Sequence, residues 1–138
     1  MWVLRSALAA LALAAFASGA LAQPVDWSAA QTESVIEILT SDADGSLRET
    51  PVWIVVVEGS GYVRTNDSKW LANIRRGSAV RLRIAGAESP VEAEEVPDEA
   101  LATRIEEAFK QKYGLTQKLM SLFRMREPVV LKLTALTS

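Results

Sequence analysis

The sequence predicts a mainly β fold with added helices, arranged as a small antiparallel barrel, and three stretches carry that expectation. Residues 52–57 form a β-branched apolar run containing Trp53, too short and too branched to favour helix. Residues 62–84 read as strand, short helix and strand, broken at Asn66-Asp67-Ser68 and again at Gly77. Residues from Asp98 onward carry apolar side chains at helical spacing and close on Gly114.

The first 22 residues stand apart from this pattern. A single early charge, Arg5, precedes an Ala- and Leu-rich run that ends in Ala20-Leu21-Ala22, the layout of a secretory signal cut before Gln23. No Arg-Arg pair precedes the apolar run and no cysteine follows it, which points to Sec-type export without a lipid anchor. A retained transmembrane anchor is the alternative, for which the run is short. The expected organisation is a signal peptide over 1–22, a lead-in over 23–34 and one barrel domain over 35–138, periplasmic or secreted, with no stable membrane anchor after cleavage.

Composition narrows the chemistry. Without the leader the chain holds 14 basic and 17 acidic residues, a net charge of −3, so nucleic acid is not an expected partner. There is no cysteine and no histidine, which removes disulfides, thiolate nucleophiles, His-based triads and the usual zinc and copper sites. Haem would lack its commonest axial ligand. No metal and no haem are expected.

Along the mature chain, residues 24–30 make an irregular lead-in or a short helix capped by Asp26 or Ser28. Residues 35–39 alternate as a weak strand that ends in Thr40-Ser41-Asp42-Ala43-Asp44-Gly45. The Asp-Gly pair signals a hairpin; a calcium loop would need a Glu at its twelfth position, which is missing. Residues 52–57 then fit a central strand buried on both faces, and Glu58-Gly59-Ser60-Gly61 turns it back as a hairpin. A helix over 69–76 and a strand over 79–84 follow, then a turn at Ala85-Gly86-Ala87 and a Glu-rich strand near 90–96 suited to a sheet edge. In the main helix, Leu101, Ile105, Ala108, Phe109 and Lys112 or Tyr113 share one face. Residues 115–125 carry Leu115, Leu119, Leu122 and Phe123 at helical spacing, read as packing against the barrel, with a lid, a dimer contact or a membrane-facing turn as alternatives. Pro128 ends that segment and 129–136 closes the sheet, giving the order β-β-β-α-β-β-α-α-β.

Charge is concentrated on the strand–helix–strand stretch. Asp67 or Ser68 caps its helix, Lys69 begins it, and Arg64, Arg75, Arg76, Arg81 and Arg83 lie close by in sequence. A phosphate or carboxylate suits such a place, and the same side chains serve equally as solvated charges around a connection.

The stretch resembles the pyridoxamine 5′-phosphate oxidase-like, FMN-binding split barrels, whose signature runs aromatic-x-Thr-Asn-x-x-Ser-x-Lys. Tyr62, Thr65, Asn66, Ser68 and Lys69 supply similar pieces at slightly altered spacing. Trp70-x-x-Asn73-Ile74 is similar to the W-x-x-N-L element of the related deazaflavin-dependent nitroreductases, and the Asp44-Gly45 turn followed by P-V-W-I-V-V-V at 51–57 resembles small members of the superfamily. The likeness spans residues 36–136. It implies an antiparallel split β-barrel with a short helix after the third strand and a longer amphipathic helix near the C-terminus. It also implies a homodimer with FMN or a deazaflavin coenzyme between protomers. Thr65, Ser68 and Lys69 would hold the phosphate, Arg64, Arg75 and Arg76 would reinforce it, and Trp70, with Trp53, would line a ring pocket. Family oxidases place an arginine in the strand before the signature; Trp53 stands near that place here, and Arg48 lies upstream.

Two functions follow from the resemblance. One is a flavin- or deazaflavin-dependent oxidoreductase of the nitroreductase or quinone-reductase kind. The other is a non-enzymatic split-barrel module for a small anionic ligand or a protein partner.

Overall fold

A computed structural model describes residues 24–114 and 128–136. The expected signal peptide and the 115–125 segment lie outside the described residues.

Helix α1 (Trp27–Thr32) opens the described chain, and the Asp26 carboxylate accepts a hydrogen bond from the Ala29 amide at 3.0 Å to cap it. Strands β1 (Ile36–Ser41) and β2 (Leu47–Val52) pair antiparallel across the Asp-Gly turn, where Gly45 takes φ +87°. Strands β3 (Val55–Val57) and β4 (Ser60–Thr65) pair through the two-residue turn Glu58-Gly59, both at positive φ, the backbone that matches strand twist. Helix α2 (Lys69–Arg75) leads to strands β5 (Val80–Ile84) and β6 (Ala87–Glu95), then to helix α3 (Glu99–Tyr113) and strand β7 (Val129–Ala135). All pairs are antiparallel, in the order β2-β1-β5-β6-β7-β4-β3. The result is a curled half-barrel, the split-barrel architecture that the sequence implied.

Two apolar layers hold the sheet. On its concave side Ile36, Ile38, Val63, Leu82, Leu131 and Leu133 are almost fully buried, and α2 adds Trp70 and Leu71. On the other side α3 lays Ile105 and Phe109 over Val55, Tyr62 and Val130. Each such side chain contributes roughly 1.5–3 kcal/mol on leaving water. Helix α1 approaches closely because Gly61 has no side chain: a Cβ there would stand 2.5 Å from the Trp27 ring.

Two expectations about strands are corrected. Residues 52–57 are not one central strand: β2 ends at Val52, Trp53 and Ile54 turn a corner, and β2 and β3 are the two edges of the sheet. The short helix therefore follows the fourth strand. The corner is held by α3, since the Ile54 amide donates to the Tyr113 hydroxyl at 3.0 Å and the Ile54 carbonyl accepts from Lys112 Nζ at 2.7 Å. Trp53 stacks on Tyr113, ring centroids 4.3 Å apart. The Glu-rich strand is likewise not an edge, because β6 lies between β5 and β7. Two of its acids meet arginines, Glu88 with Arg81 and Arg83 and Glu95 with Arg75, while Glu92 and Glu94 are exposed.

Candidate functional site

Of the signature residues, Thr65, Ser68 and Lys69 meet at the entry to α2, whereas Tyr62 packs under α3 on the other side of the sheet. Ser68 is the N-cap, its Oγ accepting from the Leu71 amide at 3.2 Å, and the Thr65 hydroxyl lies 2.9 Å from the same oxygen. Each hydroxyl brings one proton and their mutual hydrogen bond uses only one of the two. The helix seats itself because Trp70 and Leu71 point into the concave core, 5% and 1% exposed. Three residues after Trp70, on the neighbouring flank, Asn73 is 2% exposed and ties α2 to the first hairpin. Its Nδ2 donates to Thr40 Oγ1 at 3.0 Å and to Asp42 Oδ1 at 2.8 Å, and its Oδ1 accepts from Arg76.

Between the β1–β2 hairpin and α2 runs an open groove of about 400 Å³, lined by Asp42, Asp44, Arg48, Lys69, Asn73 and Arg76 with two alanines. Arg48 grips Asp42 with two parallel bonds, 2.7 and 3.1 Å, which together with the Asn73 amide hold the Asp42 carboxyl below its usual range and raise the Arg48 guanidinium. Lys69 is exposed and makes no hydrogen bond or ion pair among the described residues.

The structure brings some of the expected site residues together and separates others. Lys69 and Arg76 line the groove, with Thr65 and Ser68 beside Lys69 at the start of α2. Arg64 points to the opposite side of the sheet, its side chain 5% exposed beneath α3 and 3.9 Å from Glu106; burial lowers its guanidinium from the ordinary range. Arg75 turns toward β6 and pairs with Glu95 at 2.7 and 3.2 Å, which raises it. Trp70 is core, and Trp53 is occupied by its stack on Tyr113.

Arg48 and Asp42 were not singled out as site residues by sequence reasoning. The signal that finds Arg48 is register: it sits opposite Thr40 and lies on the same face of β2 as Thr50 and Val52, so it shares a face with the Thr40 that Asn73 binds. An arginine thus stands beside Lys69 after all, delivered from β2 rather than from the neighbourhood of Trp53.

A model of the family described as "Uncharacterized protein conserved in bacteria (DUF2255)" matches residues 27–131. No curated protein matches the chain by sequence. Among solved structures, HutZ, the heme storage protein from Vibrio cholerae, aligns with a TM-score of 0.66 at 13% identity, covering 80% of this chain and 87% of its own. An FAD-binding protein from Mesorhizobium loti aligns at 0.59 and 12% identity, covering 80% of this chain and 84% of its own. An F420 reductase aligns at 0.60 and 14% identity, covering 80% and 92%. Proteins assigned as pyridoxamine 5′-phosphate oxidases share the fold as well. These likenesses establish the split barrel. They also count against one expectation, the absence of haem, because a heme storage protein shares this fold; the lack of histidine in the chain is what that expectation rested on.

Proposed function

Since the chain belongs to this bacterial family, we propose that it binds a flavin or deazaflavin phosphate in the groove between the β1–β2 hairpin and α2. The observation that carries the reading is Lys69, an ammonium group with no hydrogen bond or ion pair among the described residues, in a groove that also holds Arg48 and Arg76. The residues fit the anionic end of such a coenzyme. Lys69 supplies charge, the Thr65–Ser68 pair has one hydroxyl proton left to donate, and Asn73 fixes the helix that presents them. The fold neighbours that bind FAD or act as an F420 reductase support the same class of ligand.

The bound coenzyme would supply hydride or electron transfer. The chain's own residues bind and orient it: Lys69 and the hydroxyl pair hold the phosphate, while Trp70 and Leu71 anchor the helix in the core. We take the working protein to be exported, as the leader-like pattern of residues 1–22 suggests, and a homodimer, as the resemblance implies; sedimentation of the secreted chain at twice the monomer mass is the expected result.

A second reading is a non-enzymatic module for a small anion or a protein partner. It is favoured by the fate of the two tryptophans, since Trp53 and Trp70 are both committed to packing and leave neither free to face a ring. A visible spectrum of the purified protein, followed by titration with FMN and a deazaflavin coenzyme, separates the two. Saturable binding that Lys69→Ala abolishes, with the melting temperature of the ligand-free protein nearly unchanged, supports the coenzyme reading. No binding to either coenzyme removes it.

A further inference from the structure

The groove has a charge count of its own. Arg48, Lys69 and Arg76 bring three positive charges, and Asp42 and Asp44 bring two negative ones, which leaves a single net positive charge. Neither carboxylate is free to swing aside. Asp42 accepts from Arg48 Nε and Nη2 and from Asn73 Nδ2, and Asp44 accepts from the Ser46 amide at 2.9 Å and the Ser46 hydroxyl at 2.6 Å. The other charges near α2 do not alter the count: Arg75 is paired with Glu95 on the side facing β6, and Asp67 acts on Arg75.

Resting on the coenzyme reading, we propose that the groove selects singly charged phosphodiesters over doubly charged phosphomonoesters. A monoester such as FMN carries between one and a half and two negative charges near neutral pH, because its second ionisation lies near pH 6, whereas a diester keeps one. The first charge is matched by the net positive charge of the groove. The second finds no surplus cation and lies beside two carboxylates fixed by hydrogen bonds. Asp42 acts as the internal counter-ion that sets this limit, since it takes up Arg48 that would otherwise face the ligand.

Three probes with one ring test the proposal: riboflavin, FMN and riboflavin 4′,5′-cyclic phosphate, a diester, titrated against the full chain at pH 7.5 and pH 5.5. The expected order at pH 7.5 is cyclic phosphate tighter than FMN by about three- to tenfold, the scale of one added charge at a solvated site, with riboflavin weakest. At pH 5.5 FMN takes up its second proton and closes most of that gap; the chain has no histidine to titrate in this window, and its two groove carboxyls are held below their usual range. Asp42→Asn adds one positive charge to the groove and is expected to favour FMN by a similar factor. Asp44→Asn makes the same change without touching Arg48, and keeps the test open should the first variant fold poorly. FMN binding as tightly as the cyclic ester at pH 7.5, with riboflavin weaker than both, overturns the selection and leaves the anion site standing. Equal binding of all three, or none, removes the anion site and the selection with it.

Discussion

Asn73 shows what one side chain can be made to do. It uses both amide protons and its carbonyl oxygen, and it does so while 2% exposed. Asn73→Ala leaves Thr40 without its buried donor and loosens Asp42, so it is expected to cost about 1–3 kcal/mol of stability, read as a lower denaturant midpoint at unchanged slope. The sequence was informative at this scale where a residue's role is local. Ser68 as a cap and Lys69 as an exposed cation follow from their place at a helix start. Trp70 could not be assigned by the same logic, because a tryptophan reads alike whether it lines a pocket or fills a core, and only the direction of α2 decides. Arg48 was hidden for a different reason: it lies on β2, Asp42 in the turn before that strand and Lys69 at the start of α2, and only the fold brings the three to one groove.

At the scale of elements, the turns were legible and the strand boundaries were not. Asp44-Gly45, Glu58-Gly59 and Ala85-Gly86 all turn where their residues said they would, because positive φ leaves a narrow choice of sequence. The run over 52–57 gave no such mark. An apolar β-branched run signals burial, and a corner covered by α3 is as buried as a central strand. The Glu-rich strand misled in the opposite direction: Glu92, Glu94 and Glu95 do face solvent, but from a strand inside the sheet, where β6 is paired on both sides. Packing of α1 is the most exposed of these element contacts to a small change. Gly61→Ala places a methyl group against the Trp27 ring and Ile54 and is expected to cost about 1–3 kcal/mol. Limited proteolysis should then cut at α1 before any other described element.

For the whole molecule, acid is the expected point of weakness. The carboxyls of Asp42, Asp44 and Glu95 are all held below their usual values by hydrogen bonds from Arg48, Ser46 and Arg75. A lowered folded-state pKa means stability that is present above the unfolded value, near pH 4, and lost as pH falls through the folded one. A melting temperature flat from pH 7 to pH 5 and falling below pH 4 is the expected profile, with Asp42→Asn showing a shallower fall. The Arg75–Glu95 pair adds little to this, since both side chains are about half exposed and salt screens them. The placing of β7 has a consequence of another kind. It pairs with β4 on one side and β6 on the other, so without residues 129–135 the sheet is two unconnected pieces, β2-β1-β5-β6 and β4-β3. A nascent chain emerges N-terminus first, and β7 follows the other six described strands in the chain. Until β7 is made, no hydrogen-bonded strand links the two pieces, so the full sheet forms only when its joining strand arrives.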